Sequence, residues 1–412
     1  MLSVAALSQP CSSRFAAALA SALRPAFRPF SSSRQVGQEK AAQPQTPATE
    51  HIELSAPATY ISESHDPWFN LSYEDWLLRN TPHDQPVLFL YRNFPCVVIG
   101  RNQASRAHSS SVGKAFNPWK ETTPRKLHEA GTPLVRRRSG GGTVYHDLGN
   151  TNFSIILPRL LFTRAHGAEL VARAIRDRLG IDTCGVNKRN DVVSGSAYKI
   201  VQHRAYHHGT MLISSSLSEL GRSLKSSSPG IETKGIASFP SPVTTLNAYR
   251  PSSRPHPIKH DDFTDAVIHE FGRVYAGKNK PMQTIEIDEG RVKEAKVWDG
   301  VRELKSWEWT FGQTPEFSND FEGDLSFGKV SVSLTSRHAL LTSITFHLSP
   351  AFTFSTADTQ THQSFLDALA LSLVGRRYET LDGAESPEGE WEEDPKWMEL
   401  AAEVIAWLRH TM

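Results

Sequence analysis

Cysteine is scarce in this chain. Cys11, Cys96 and Cys184 are the three in 412 residues. Widely spaced and odd in number, they argue against a disulfide framework and against a cysteine-based zinc site. Long apolar runs are missing too: no stretch approaches the roughly 18 apolar residues that a membrane-spanning helix needs, and no membrane contact is expected. Charge of one sign is also lacking. Lys and Arg number 45 against 44 Asp and Glu, a formal net charge of +1. That balance argues against a broad nucleic-acid-binding face but leaves room for a local basic pocket. No internal repeat is present, which excludes a solenoid or propeller array.

Acidic residues are absent from the first 38 positions, where Arg14, Arg24, Arg28 and Arg34 stand among Ala, Ser and Leu. This composition is that of a mitochondrial transit peptide. Residues 1–34 are read as that address, directed to the mitochondrial matrix, with Arg28-Pro29-Phe30-Ser31-Ser32 as a candidate processing site. Residues 35–57 follow as a Gln/Pro/Ala/Thr linker without hydrophobic period. What remains is long enough for two domains with their own cores.

Within it, apolar residues recur at helical spacing over Trp68–Arg79, with Pro67 at a favourable start. Val87–Tyr91 and Cys96–Gly100 read as strands around an Arg-Asn-Phe-Pro turn. A helix near Pro124–Ala130 ends at Gly131, and another over Ala165–Leu179 ends at Gly180. Thr143–Tyr145, Thr151–Leu157 and His207–Ile213 are strand-like. Strands and helices alternate irregularly, which predicts an α+β, mixed-sheet domain over residues 58–250. The Pro/Ser/His-rich stretch near 250–260 marks a boundary. Residues 260–412 then read as a smaller α/β unit: a helix at Asp262–Tyr275, strands within 329–349, helices near 362–373 and 395–410, and an acidic loop at 382–395.

The richest stretch is Arg136-Arg137-Arg138-Ser139-Gly140-Gly141-Gly142-Thr143-Val144-Tyr145-His146-Asp147. Glycine lets backbone approach a ligand because no Cβ intervenes. Free N–H groups and guanidinium forks can then converge on a phosphate or carboxylate. Neighbouring strand side chains alternate, so Arg137 faces one side and Arg136 and Arg138 the other. A solvated basic edge is the plainer alternative for each. Thr143, Val144 and Tyr145 would run along a pocket wall. A His146-Asp147 pair in a turn is more often structural than catalytic. Asn190-Asp191 alone would be a turn, although an Asp there could hold magnesium, a cation that prefers oxygen ligands. His207 and His208 are adjacent, but successive strand side chains diverge and cannot share one metal ion.

Taken together, this string, Asn190-Asp191, Ser194-Gly195-Ser196-Ala197-Tyr198, His207-His208-Gly209-Thr210-Met211-Leu212, Lys234-Gly235-Ile236-Ala237-Ser238 and Ser306-Trp307-Glu308-Trp309-Thr310-Phe311-Gly312-Gln313 occur in the order found in the lipoate–protein ligase A family. The chain resembles that family from about residue 60 to its end. The resemblance implies a biotin/lipoate ligase-like catalytic domain with a smaller C-terminal accessory domain. It implies a lipoyl-adenylate and ATP site at Arg137, Ser139, Gly140, Gly141, Gly142, Thr143, Val144, Tyr145, His146, Asn190, Asp191, His208, Gly209 and Thr210, with Asp191 as the Mg2+ ligand.

Two departures from the family pattern stand out. Gly100-Arg101-Asn102-Gln103 is separated from Asn117-Pro118-Trp119-Lys120-Glu121 by Ala104 to Phe116, a Ser-rich insertion. A surface loop there is tolerated, since loop closure costs little per added residue. More seriously, Val192 stands where the family has a lysine on the substrate carboxylate and α-phosphate, and most of the intervening hairpin is missing. Losing such a cation costs about 3–4 kcal/mol of transition-state stabilisation. Three explanations stay open at this point: errors in the gene model at both junctions, lost activation with transfer or binding retained, or a substitute lysine such as Lys188 or Lys199.

The expected activity is ATP-dependent formation of lipoyl-AMP and transfer to a lysine of a lipoyl domain. Expected acceptors are apo E2 subunits of 2-oxo acid dehydrogenases and the glycine-cleavage H protein, with the ligase acting as a monomer. The alternatives are an ATP-independent lipoyl or octanoyl transferase and an inactive lipoyl-domain-binding protein. Related octanoyltransferases use a cysteine after the His-Gly strand, and no cysteine follows Cys184. Biotin ligation is disfavoured because a Gly-Arg-Gly-Arg-type loop is missing.

Overall fold

The strand Val87–Tyr91 is apolar at all five positions and shows how the first layer is built. Side chains on a strand alternate between faces. Leu88 and Leu90 therefore enter one core, while Val87, Phe89 and Tyr91 enter another on the opposite side. In the computed structural model this strand lies third in a six-stranded mixed sheet, ordered Gln283–Ile287, Ala58–Ser62, Val87–Tyr91, Asn150–Pro158, Arg204–Leu212 and Ser196–Ile200. The first two pairings are parallel and the rest antiparallel. The structure describes residues 54–101, 116–187, 192, 195–228, 230–234, 242–276, 282–350, 355–387, 391 and 394–412.

Helices His166–Leu179 and His260–Tyr275 cover one face of this sheet through Leu170, Val171, Ile175, Phe263, Val267 and Phe271. Gly180, in the left-handed region at φ 73°, stops the first of them. Helices Pro67–Asn80 and Ala295–Lys305 cover the other face with Phe69, Tyr73, Leu77 and Val297. Asp66 starts Pro67–Asn80 by accepting a 2.8 Å bond from the Phe69 amide, and Pro67 gives up no donor at this first position. A small three-stranded sheet, Leu134–Arg136, Cys96–Ile99 and Val144–His146, leans on the same side.

A four-stranded antiparallel sheet forms a second layer, ordered Leu340–Pro350, Gly328–Arg337, Phe317–Leu325 and Glu232–Thr233. Helices Thr356–Leu373 and Pro395–Thr411 pack on it around Phe365, Leu369, Trp397 and Leu408. The mixed α+β architecture expected from the sequence is present. Its division differs from the composition break near residue 260. The chain goes on building the first layer after that point, because His260–Tyr275 caps the six-stranded sheet and Gln283–Ile287 joins its edge beside Ala58–Ser62. In return, Glu232–Thr233 leaves the first half to pair with Phe317–Leu325. A proline-rich surface segment marks a turn of the chain, and here the turn is not a change of core.

Candidate active site

The middle strands Asn150–Pro158 and Arg204–Leu212 are buried at every position, yet they carry Asn150, Thr151, Asn152, Ser154, His207, His208 and Thr210. Buried polar groups need partners, so a strand pair this polar marks a built site. A cavity of about 420 Å³ opens beside it, within the range of small-molecule sites. Of the residues expected from sequence, Arg137, Gly142, Thr143, Val144, Tyr145, His146, His208, Gly209 and Thr210 line it. Ser139, Gly140 and Gly141 stand just behind as its supporting turn. Asn190 and Asp191, including the expected magnesium ligand, lie outside the described residues, as do Lys188 and the insertion over 104–115.

Arg137 is buried and does not reach out as a free anion clamp. Its Nε donates to Ser139 Oγ and the Gly140 carbonyl at 3.0 Å each, Nη1 to the Val98 carbonyl at 3.0 Å, and Nη2 to the carbonyls of Gly140 at 2.6 Å and Gly142 at 2.7 Å. Burial lowers its pKa to about 10, so it stays charged at neutral pH. It stitches the glycine turn into shape. Of the three glycines, Gly141 has the strongest requirement: its φ is +83°, and a Cβ would stand 2.9 Å from both Ala197 Cβ and Arg137 Nη2. Gly100 has a matching one, since a Cβ there would meet the Gly141 carbonyl oxygen at 1.9 Å.

The other two arginines are structural rather than solvated. Arg136 is fully buried and donates to the carbonyls of Thr310 at 2.8 Å and Phe116 at 3.0 Å. Arg138 pairs with Glu303 and covers the Trp309 ring, whose other cationic neighbour is Arg101. The Trp309 indole N–H donates to the Arg136 carbonyl at 2.8 Å. The basic triplet thus anchors the tryptophan-rich segment to the first layer.

Beneath the turn runs a buried chain of polar groups. Glu74, on helix Pro67–Asn80, lies 3.0 Å from His208 Nδ1, and His208 Nε2 lies 2.9 Å from Ser139 Oγ. Both ring nitrogens of His208 are thus engaged, Nδ1 by Glu74 and Nε2 by Ser139, and Ser139 Oγ also accepts from Arg137. The ring is thereby held in one orientation. His146 accepts from Asn93 at 2.9 Å through Nδ1, and burial next to Arg137 and His208 pulls its pKa down to about 3, so it is neutral. Asp147 is not in the cavity wall; it accepts from the amides of Gly149 and Ser216 at 2.9 Å each and shapes the turn. His207 points away from His208, which rules out a shared metal ion. Its neighbour across the sheet, Phe153, needs Gly209, where a Cβ would stand 2.7 Å from the ring.

Sequence reading missed several contributors. Glu74 and Asn93 looked like ordinary helix and turn residues. Lys120 and Glu121 line the cavity from the segment after the insertion, with Thr143 donating to Glu121 at 2.8 Å. Leu71, Val98, Leu220, Leu224 and Val243 supply an apolar wall drawn from distant segments. Asn117-Pro118-Trp119-Lys120-Glu121 carried the only local signal, as a motif. Lys199 lies in the same sheet but is committed elsewhere, with Nζ 2.5 Å from Asp75. Neither described cysteine suits acyl transfer: Cys96 is fully buried, burial raises the Cys184 thiol to about 11, and both lie outside the cavity wall.

A family model for the lipoyl protein ligase A/B catalytic domain matches residues 66–272. Lipoate-protein ligase A of Psychrobacter cryohalolentis is 32% identical over 328 residues, covering 77% of this chain and 87% of that protein. Lipoate-protein ligase A of Blochmanniella pennsylvanica is 32% identical over 364 residues, covering 85% and 98%. The crystal structure of P. falciparum LipL1 in complex with lipoate superposes with a TM-score of 0.51 at 22% identity, covering 86% of this chain and 99% of that one, so the fold is shared. With the glycine turn, its buried arginine and the polar strand pair in place, the chain belongs to the lipoyl protein ligase A/B family.

Proposed function

We propose that this protein is a lipoate–protein ligase that joins lipoate to ATP as lipoyl-AMP and passes the lipoyl group to a lysine of an apo lipoyl domain. The observation that carries this reading is the cavity itself. Its lining includes the apolar side chains of Leu71, Val98, Leu220 and Leu224, which suit an alkyl chain. The same lining includes Gly142 of the glycine turn, Thr143, Thr210 and His208, polar groups that suit the mixed anhydride. In the first step a carboxylate oxygen of lipoate attacks the α-phosphorus of ATP and pyrophosphate leaves. In the second, the lysine ε-amine attacks the acyl carbon, AMP leaves, and the amine loses a proton. Backbone N–H groups of a turn held rigid by Arg137 offer preorganised dipoles for both steps. Magnesium enters as part of the ATP complex, offsetting phosphate charge. Its expected protein ligand, Asp191, is outside the described residues.

The acceptors in this reading are E2 subunits of 2-oxo acid dehydrogenases and the glycine-cleavage H protein, met by a monomeric ligase in the mitochondrial matrix. The acid-free, arginine-bearing N-terminus supports that location. A fluorescent fusion of residues 1–34 that stays in the cytosol would overturn it. The activity is tested on an apo lipoyl domain followed by intact mass, with lipoate plus magnesium-ATP, synthetic lipoyl-adenylate, or lipoylated H protein as donor. The ligase reading expects modification from the first two. Modification from the adenylate or the H protein alone would sink it in favour of a transferase.

A further inference from the structure

Bringing a carboxylate to a triphosphate sets anion against anion, and a fixed cation in the cavity is needed to offset the repulsion. Among the described residues, Arg137 and Lys120 are the Arg and Lys side chains that line it. Four of the five N–H donors of Arg137 are spent on the carbonyls of Val98, Gly140 and Gly142 and on Ser139 in the cavity floor, geometry that fixes the turn. Lys120 is different. Its ammonium has three N–H donors, and among the described residues one is used, at 2.8 Å to the Ile231 carbonyl. Its position is set from behind: Trp119 is sunk in the second layer, donating at 2.7 Å to Glu379 and packing on Phe317 and Tyr378. Beside it, Glu121 is held by Thr143. Val192 is no rival, since it packs against the apolar core. Lys199 is buried against Asp75.

The geometry points to Lys120 as the cation that receives the substrate carboxylate and the α-phosphate during formation of the acyl-adenylate. This assignment rests on the ligase reading. Lys120 stays protonated throughout; it transfers no proton and forms no bond, and its two spare N–H groups meet the oxygens that approach each other. Activation therefore depends on Lys120, while attack of a neutral amine on a finished adenylate does so much less. Arg at this position keeps the charge and is partly competent.

The test separates the two half-reactions. Pyrophosphate release from lipoate and magnesium-ATP, and transfer from synthetic lipoyl-adenylate to an apo lipoyl domain, are measured for the wild type, Lys120→Gln, Lys120→Arg and Lys188→Gln. Gln retains a donor for Ile231, and melting temperatures report folding. Lys120→Gln is expected to slow pyrophosphate release about 10²–10³-fold while leaving transfer within about threefold. Lys120→Arg is expected to recover most of the loss. Equal losses in both half-reactions, no loss in either, or a selective loss in Lys188→Gln instead would each overturn the assignment. A wild-type chain that transfers from the adenylate yet never releases pyrophosphate would overturn the ligase reading itself, and Lys120 with it.

Discussion

The two main sheets solve opposite problems. In the four-stranded sheet, Gly328–Arg337 alternates: Val330, Val332 and Leu334 are buried, while Lys329, Ser333 and Arg337 are exposed. One face packs on helices and the other meets water. In the six-stranded sheet, Asn150–Pro158 and Arg204–Leu212 have no wet face at all, and polar side chains are buried with the apolar ones. Burying a polar group without a partner costs about 1–3 kcal/mol. The first sheet thus accepts a cost that the second avoids, and what it obtains is a rigid, preorganised cavity floor.

That contrast can be broken in graded ways. The largest effect is expected at the glycine turn. Gly141→Ala puts a Cβ at a positive φ and against Arg137 and Ala197, so lipoylation should fall by about 10²-fold or more through misplacement of the turn, measured as initial rate on an apo lipoyl domain. Next is the seam between the layers. Trp119→Ala should cost about 3–5 kcal/mol in urea unfolding, since it removes a fully buried ring and leaves Glu379 without its indole donor. Glu74→Gln should cost about 1–3 kcal/mol by replacing a charged acceptor under His208, with a loss of rate from a loosened Ser139 and Arg137.

A smaller effect separates the sheets by pH. His207 is buried with neither ring nitrogen paired among the described residues, and burial lowers its pKa to about 3. Its folded value lies below the unfolded one of about 6.5, so the unfolded chain binds the proton first. Stability from this residue is present above pH 6.5 and is lost as pH falls toward 3, at up to about 1.4 kcal/mol per pH unit. His207→Leu should flatten the urea midpoint between pH 6.5 and 4.5 relative to wild type; an unchanged slope would refute this account. The smallest effect belongs to the wet face of the other sheet, where Ser333→Thr should stay within about 0.5 kcal/mol.

The same contrast explains what the sequence made legible. His166–Leu179 was legible through one buried face and a glycine stop, and Pro67–Asn80 through its apolar spacing and proline start, although that helix is buried on nearly every side. Ala58–Ser62 and Gln283–Ile287 were not visible, because each is five residues long and held by long-range pairing, the second with most of its side chains exposed. For the site, nine of the expected residues line the cavity because motif residues cluster locally in the chain. Glu74, Asn93 and the apolar wall escaped notice because they reach the cavity from separate elements. The roles of the three arginines were open for a related reason. Strand alternation separates Arg137 from its neighbours, but only packing shows that Thr310, Phe116 and Trp309 occupy the far side.

The parallel pairing of Ala58–Ser62 with Gln283–Ile287 has a consequence for the order in which the molecule can be assembled. A chain made or threaded from its N-terminus presents the first of these strands more than two hundred residues before its outer partner. Until then that edge of the sheet has unpaired backbone groups open to another chain. A fragment ending near residue 250 would keep the glycine turn and the polar strand pair of the cavity and still lack the outermost strand and two covering helices. Such a piece is expected to self-associate rather than act as a minimal enzyme, and the intact chain to need shielding of this edge while its second half arrives.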